Sequence, residues 1–146
     1  VKLKILLFII ICTLSFLAAC HEVPTKSNAV LEAEAYLESQ GYELVSLVGE
    51  ESLLLDTKTL MDPGYSQIWQ VQPFDSAEYL DQPLTAVEFI IQGHPLELLY
   101  NSQKTRIIVY LHQNQVIGGW SLPVFSSEVL VGTVHSLDGK TAEEVQ

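Results

Sequence analysis

NAVLEAEAYLESQGYELVSLV, residues 28–48, decides the fold class, because the period of its apolar residues changes once along its length. Val30, Ala33 and Leu37 recur three and four residues apart and make a single stripe, which Ala29 and Tyr36 widen. That spacing predicts an amphipathic helix over 29–40. Asn28 stands where an N-cap accepts from the free backbone N–H groups of the first turn, and Gly41 stands where a left-handed residue stops a helix. From Tyr42 the residues are β-formers. YELVSLV predicts a strand over 42–48, Gly49-Glu50-Glu51 a turn, and SLLL at 52–55 the returning arm of a hairpin.

Working outward, DTKTLMDPG at 56–64 interrupts the β pattern, and QIWQVQ at 67–72 predicts a short strand closed by Pro73. Asp75 and Glu78 have the spacing of a capping box on a brief turn. LTAVEFIIQ at 84–92 is apolar enough to lie centrally in a sheet, and Gly93-His94-Pro95 ends it. LELLYNS at 96–102 predicts a short helix or an irregular crossing. TRIIVYLHQ (105–113) and QVIGGWSLPV (115–124) flank Asn114 as a hairpin, and Gly118-Gly119 inside a strand points to a bulge or a close approach by another backbone. SEVLVGTVHS at 127–136 predicts the last strand, Asp138-Gly139 a turn, and Thr141 with Glu144 a cap on a final helical turn. The expectation is an α+β domain over 28–146, with an N-terminal helix packed on a curved antiparallel sheet of about five or six strands.

Ahead of this domain, Lys2 and Lys4 precede an uncharged apolar run over 5–19, and the chain turns polar at His21 and Glu22. This is the layout of a secretory signal peptide. The run is shorter than the roughly 20 residues of a spanning helix, although a short tilted anchor is the alternative. Leu17-Ala18-Ala19-Cys20 resembles the lipobox of bacterial lipoproteins. The resemblance implies a diacylglyceryl group on the Cys20 thiol and cleavage between Ala19 and Cys20, with Leu17, Ala18 and Ala19 recognised by the signal peptidase. It divides the chain into a signal peptide (1–19), a lipidated Cys with a polar tether (20–27) and the domain. Two acyl chains, at about 0.8 kcal/mol per buried CH₂, hold a protein stably on a bilayer where one does so only marginally. The expected location is the outer, extracytoplasmic face of a membrane, and the expected lipid contact is through diacylglyceryl-Cys20.

The two cysteines are Cys12 and Cys20, so on this reading the domain has no thiol for a disulfide, a nucleophile or a zinc-thiolate site. All eighteen acidic residues but only five of the seven basic ones lie beyond Cys20, which leaves a net charge of −13 there. Such a surface argues against nucleic acid and against direct binding of anionic lipid headgroups.

Candidate chemistry is sparse. His94, His112 and His135 lack the close spacing of a metal site, but on neighbouring elements they could meet with a carboxylate to make a small zinc site or hydrolase centre. Structural histidines are the bland alternative, and His94 before Pro95 suits a turn. There is no GxSxG, no SxxK and no glycine-rich phosphate loop. Glu50-Glu51 and Glu143-Glu144 read as solvated charge. Among the aromatics, Tyr65, Trp69 and Trp120 are the candidate binding surface, weighed against ordinary core packing.

QGHPLE at 92–97, VIGGWSLP at 116–123 and VHSLDGKTAEEV at 134–145 resemble a pattern in small uncharacterised lipoproteins of spore-forming Gram-positive bacteria. The resemblance extends over roughly 30–145 and implies a Gram-positive envelope and a small α+β domain, but no activity. The expected function is a non-catalytic, lipid-anchored domain that binds an envelope protein, without a cofactor. The alternative is a metal-binding protein or hydrolase built on the three histidines.

Overall fold

In the computed structural model, which describes residues 25–125 and 133–145, the first element is helix α1 (Asn28–Ser39). Ser27, not Asn28, caps it: the Ser27 hydroxyl accepts from the Val30 N–H at 3.1 Å. Gly41, at φ +86°, ends it, and the Tyr42 N–H returns to the Leu37 carbonyl at 3.2 Å. Ala29, Val30, Ala33 and Leu37 are buried, which is the stripe that the spacing predicted.

Four strands follow: β1 (Glu43–Leu54), β2 (Pro83–Gln92), β3 (Lys104–His112) and β4 (Gln115–Val124). They form one sheet in the order β1-β2-β3-β4, and every neighbouring pair is antiparallel. Two short helices, α2 (Thr57–Met61) and α3 (Ser66–Gln70), and a 3₁₀ turn at Ser76–Tyr79 join β1 to β2. Helix α4 (Pro95–Tyr100) joins β2 to β3, and α5 (Ala142–Val145) follows β4. The domain is α+β.

Alternation along β2 and β3 separates two apolar faces. Val87, Phe89, Ile91, Ile107, Val109 and Leu111 pack against α1 in the main core. Ala86, Ile108 and Tyr110 point the other way, where Ile68 and Trp69 of α3 pack on them. The sheet is therefore sandwiched between a long helix and a short one.

Four expectations are corrected. The helix begins behind 27 other residues rather than at the chain's N-terminus, and among the described residues the sheet has four strands rather than five or six. The reasons are local. The predicted hairpin over 42–55 is one continuous strand, because Gly49 does not take the positive φ of a tight hairpin turn and instead pairs with Glu88. Register shifts at Val45 and Val48 absorb the mismatch as bulges. The predicted strand over 67–72 is largely helix α3. Ile68 and Trp69 are adjacent in sequence and both pack on the sheet, which a strand's alternation would forbid. Most of the predicted strand over 127–136 lies outside the described residues. His135 forms a single bridge to Ser121 on β4, with N–H to O distances of 2.8 and 3.1 Å. The leader, including Leu17, Ala18, Ala19 and Cys20, also lies outside the described residues.

The Gly118-Gly119 pair meets both expectations for it. Tyr110 pairs with Gly118 and Leu111 with Val116, so Ile117 is the bulged residue. Gly119 has φ +150°, and a Cβ there would stand 2.0 Å from the Ile108 carbonyl oxygen.

Candidate functional site

The sheet face opposite α1 carries an open cavity of about 330 Å³. Its floor is Ala86, Ile108, Tyr110 and Trp120; α3 and the preceding turn supply Trp69, Ile68 and Tyr65; Glu51, Glu88 and Arg106 lie on its polar side. Tyr65, Trp69 and Trp120, singled out from the sequence, all line it. They arrive from different directions. Asp62 turns the chain into α3, accepting from the Gly64 N–H through its side chain at 2.8 Å and from the Tyr65 N–H through its carbonyl at 3.0 Å. That turn sets Tyr65 and Trp69 over the sheet, while Trp120 rises from β4 beside Ile108.

The aromatic rings are mutually fixed. Trp69 stacks on Tyr110 with centroids 5.6 Å apart and planes 19° from parallel. The Trp120 indole N–H donates to the Tyr110 hydroxyl at 3.0 Å. Burial pushes the Tyr110 phenol up to about 12, against the pull of the Trp120 bond. Tyr65 is half-exposed and forms the solvent-facing side of the cavity. Gln72 anchors the far end of α3: its amide donates to Ile68 O at 2.6 Å and to Gly119 O at 3.1 Å, and accepts from Gly119 N at 2.8 Å.

Glu88 and Arg106 form an ion pair, Nε to Oε1 at 3.1 Å, without the alignment of a hydrogen bond. They are diagonal neighbours across β2 and β3, since Glu88 pairs with Ile108 and Arg106 with Ile90. Trp69 Nε1 is buried and has no hydrogen-bond partner among the described residues. The cavity thus combines aromatic faces with a fixed charge pair and a further carboxylate at Glu51. That arrangement suits the capture of a partly apolar, partly polar group.

The three histidines do not converge. His94 is buried and caps α4: its Nδ1 accepts from Leu96 N at 3.2 Å and its Nε2–H donates to Leu137 O at 3.0 Å. Burial lowers its pKa, opposed by the Leu137 bond. His135 is buried beside Tyr100, whose hydroxyl is 3.2 Å from Nε2, and burial likewise lowers its pKa. His112 is at the hairpin end of β3, where its Nδ1–H donates to Pro83 O at 3.3 Å. His112 pairs with Gln115, whereas His135 bridges Ser121, the partner of Ile107 five residues back along β3. At about 3.3 Å per residue the two are separated by roughly 17 Å. Among the described residues no three His, Cys, Asp or Glu side chains gather as a metal site.

A larger depression of about 440 Å³ lies by the end of α1, between Tyr36, Pro73, Val116 and Asp138. Its charged groups satisfy one another. Lys140 Nζ is 2.7 Å from Asp138, and although burial opposes ionisation of Asp138, bonds from Lys140 and Ser136 hold its carboxyl below the usual range. The aromatic cavity, with an indole N–H unpartnered among the described residues and an exposed Glu51, is the better candidate.

Fold and cavity together define a small α+β domain with an aromatic recess on one sheet face. The chain matches no family model, no curated protein and no solved structure.

Sequence reasoning missed Tyr110, Glu88, Arg106 and Glu51. The alternation did contain a signal for three of them. Glu88, Arg106 and Tyr110 fall out of phase with the apolar residues facing α1, which marks one common face.

Proposed function

We propose that this chain is a lipid-anchored lipoprotein of the extracytoplasmic face of a cell membrane. On this reading its domain is a non-catalytic module that binds an envelope protein through the aromatic cavity. The address rests on the Lys-led apolar leader and Leu17-Ala18-Ala19-Cys20, and the Gram-positive setting on the resemblance of the GHPLE, IGGWSLP and SLDGKT pieces. No helix among the described residues is long and apolar enough to cross a membrane. The observation that carries the binding role is the convergence of Tyr65, Trp69 and Trp120 on one cavity. Aromatic anchors of this kind supply a large share of binding energy at protein interfaces.

Two experiments test the two halves. Intact mass and fractionation of the native chain beside Cys20→Ala test the address. Loss of residues 1–19, an added diacylglyceryl mass and a membrane location, all abolished in the variant, are the expected outcome; a retained leader without lipid refutes it. Photo-crosslinking on intact cells from position 65, compared with position 98, tests the surface. Leu98 is 92% exposed on α4 and does not line the cavity. A discrete adduct from position 65 alone is expected, and equal adducts from both sites refute the cavity's role.

A further inference from the structure

We infer that the outer edge of β1 accepts an extended, basic segment of a partner protein as a fifth strand, which directs a Lys or Arg side chain past Glu51 into the aromatic cavity. The inference rests on the cavity being a protein-binding site and adds how the partner is held.

Strand β1 ends the sheet and pairs, among the described residues, with β2 alone. An edge strand presents a row of unpaired N–H and C=O groups to any extended chain, and long apolar edges are normally avoided. At 12 residues β1 is the longest strand, and Val45, Leu47, Val48 and Leu54 on it are 40–58% exposed. Its two bulges interrupt the edge only in its first half. Positions 49–54 run in unbroken register with 88 back to 83, so this stretch, GEESLL, offers a regular ladder on its outer side.

The same stretch borders the cavity. Glu51 and Leu53 point to the cavity face, and both line it. Strands in a sheet lie about 4.8 Å apart. A residue of an added strand beside Glu51 therefore stands one strand spacing from the cavity rim. The stem of a Lys or Arg spans that gap and brings its cation to Glu51 and to the exposed ring of Tyr65. Backbone pairing supplies affinity in this mode, and a recess for alternate side chains supplies selectivity.

Charge selects the occupant. Strand β1 carries Glu43, Glu50 and Glu51 and no basic residue, within a region of net charge −13. Opposite charges across neighbouring strands are favourable and like charges unfavourable. A second copy would bring the same carboxylates to the edge, whereas a basic segment neutralises them.

The test uses the full lipidated chain in a nonionic detergent and a fluorescent synthetic peptide that alternates Lys and Val, followed by anisotropy. Binding is expected for this peptide and not for its Glu/Val counterpart. N-methylation of alternate peptide amides, which blocks strand pairing but keeps the charge, is expected to weaken binding by at least about tenfold, as is Glu51→Lys. Tyr65→Ala, at a half-exposed ring, is expected to weaken it by about threefold or more. Absence of binding up to about 1 mM overturns the inference. Equal binding of the N-methylated peptide overturns strand addition, and the cavity reading survives if Tyr65→Ala still weakens binding. Loss on N-methylation with no effect of Tyr65→Ala supports strand addition and overturns the cavity reading. A dimer in sedimentation that persists in excess peptide, with no peptide bound, overturns the basic partner in favour of a second copy.

Discussion

Replacing Gly119 by Ala puts a methyl group where the backbone of β3 already is. The added Cβ would stand 2.0 Å from Ile108 O and 2.7 Å from Leu137 Cδ2. Ordinary carbon–oxygen contacts are about 3.3–3.6 Å, so the two paired strands must part by more than about 1 Å. Neither neighbour can yield easily: one is main chain inside the sheet, and the other belongs to a side chain of the main core. The residue also sits at φ +150°, where an L side chain is strained. Backbone strain of this kind costs about 1–3 kcal/mol, and overpacking costs about 1–3 kcal/mol. Together they predict a loss of about 4 kcal/mol from a domain whose total stability is of the order of 5–15 kcal/mol. The Gln72 clasp on Gly119 N and O would loosen with it, and α3 would lift from the sheet. Urea unfolding followed by circular dichroism measures the loss, and Gly49→Ala is the control, since a Cβ at Gly49 meets nothing within 4 Å. The control is expected to stay within about 0.5 kcal/mol of the parent. A Gly119→Ala domain less than about 1 kcal/mol weaker than the parent would refute the close-packed account of β3 and β4.

Other outcomes follow from the core and its buried titrating groups. Leu37→Ala, at a fully buried α1 position, is expected to cost about 2–5 kcal/mol, and Leu98→Ala, at an exposed α4 position, less than about 0.5 kcal/mol, by the same urea titration. His94 and His135 have pKa values lowered by burial, so the unfolded chain takes up protons that the fold refuses. Their contribution is complete above the unfolded value of about 6.5 and is lost as pH falls below it. The urea midpoint should drop between pH 7.5 and 5.5, and a flat profile would contradict the burial of both rings. Tyr110 ionises only at about 12, so the fold keeps a proton that the unfolded phenol releases near pH 10. Stability should fall as pH rises from about 10 to about 12, and ultraviolet titration should show a phenol ionising near 12 that Tyr110→Phe removes. Tyr110→Phe leaves the Trp120 indole without its acceptor and should cost about 1–2 kcal/mol in the same unfolding assay.

The features that the sequence made legible are those decided within a few residues. The α1 stripe, the stop at Gly41 and the turn at His94-Pro95 each depend on neighbours in the chain. So does the β3–β4 hairpin, whose two-residue loop Gln113-Asn114 has φ of 50° and 62°. Gly118-Gly119 declared a close approach because no other residue type tolerates one. Errors arose where pairing over distance overrode local pattern. Positions 42–55 form one strand because β2 offers a continuous partner along them. Ile68 and Trp69 are helical because the bare sheet face over Ala86, Ile108 and Tyr110 requires both.

By itself, then, the sequence determined the α+β class, the helix that covers one face and the acidic balance of the surface, and it carried the lipobox resemblance from which the address is proposed. Tertiary structure alone decided that Tyr65, Trp69 and Trp120 share one cavity, that Glu88 and Arg106 charge its polar side, and that His112 stands far from His135. The physical reason is that helix period and turn chemistry are short-range, whereas a site is a coincidence of side chains in space. Its members come from a turn, a short helix and four strands, and only the register of the sheet brings them together.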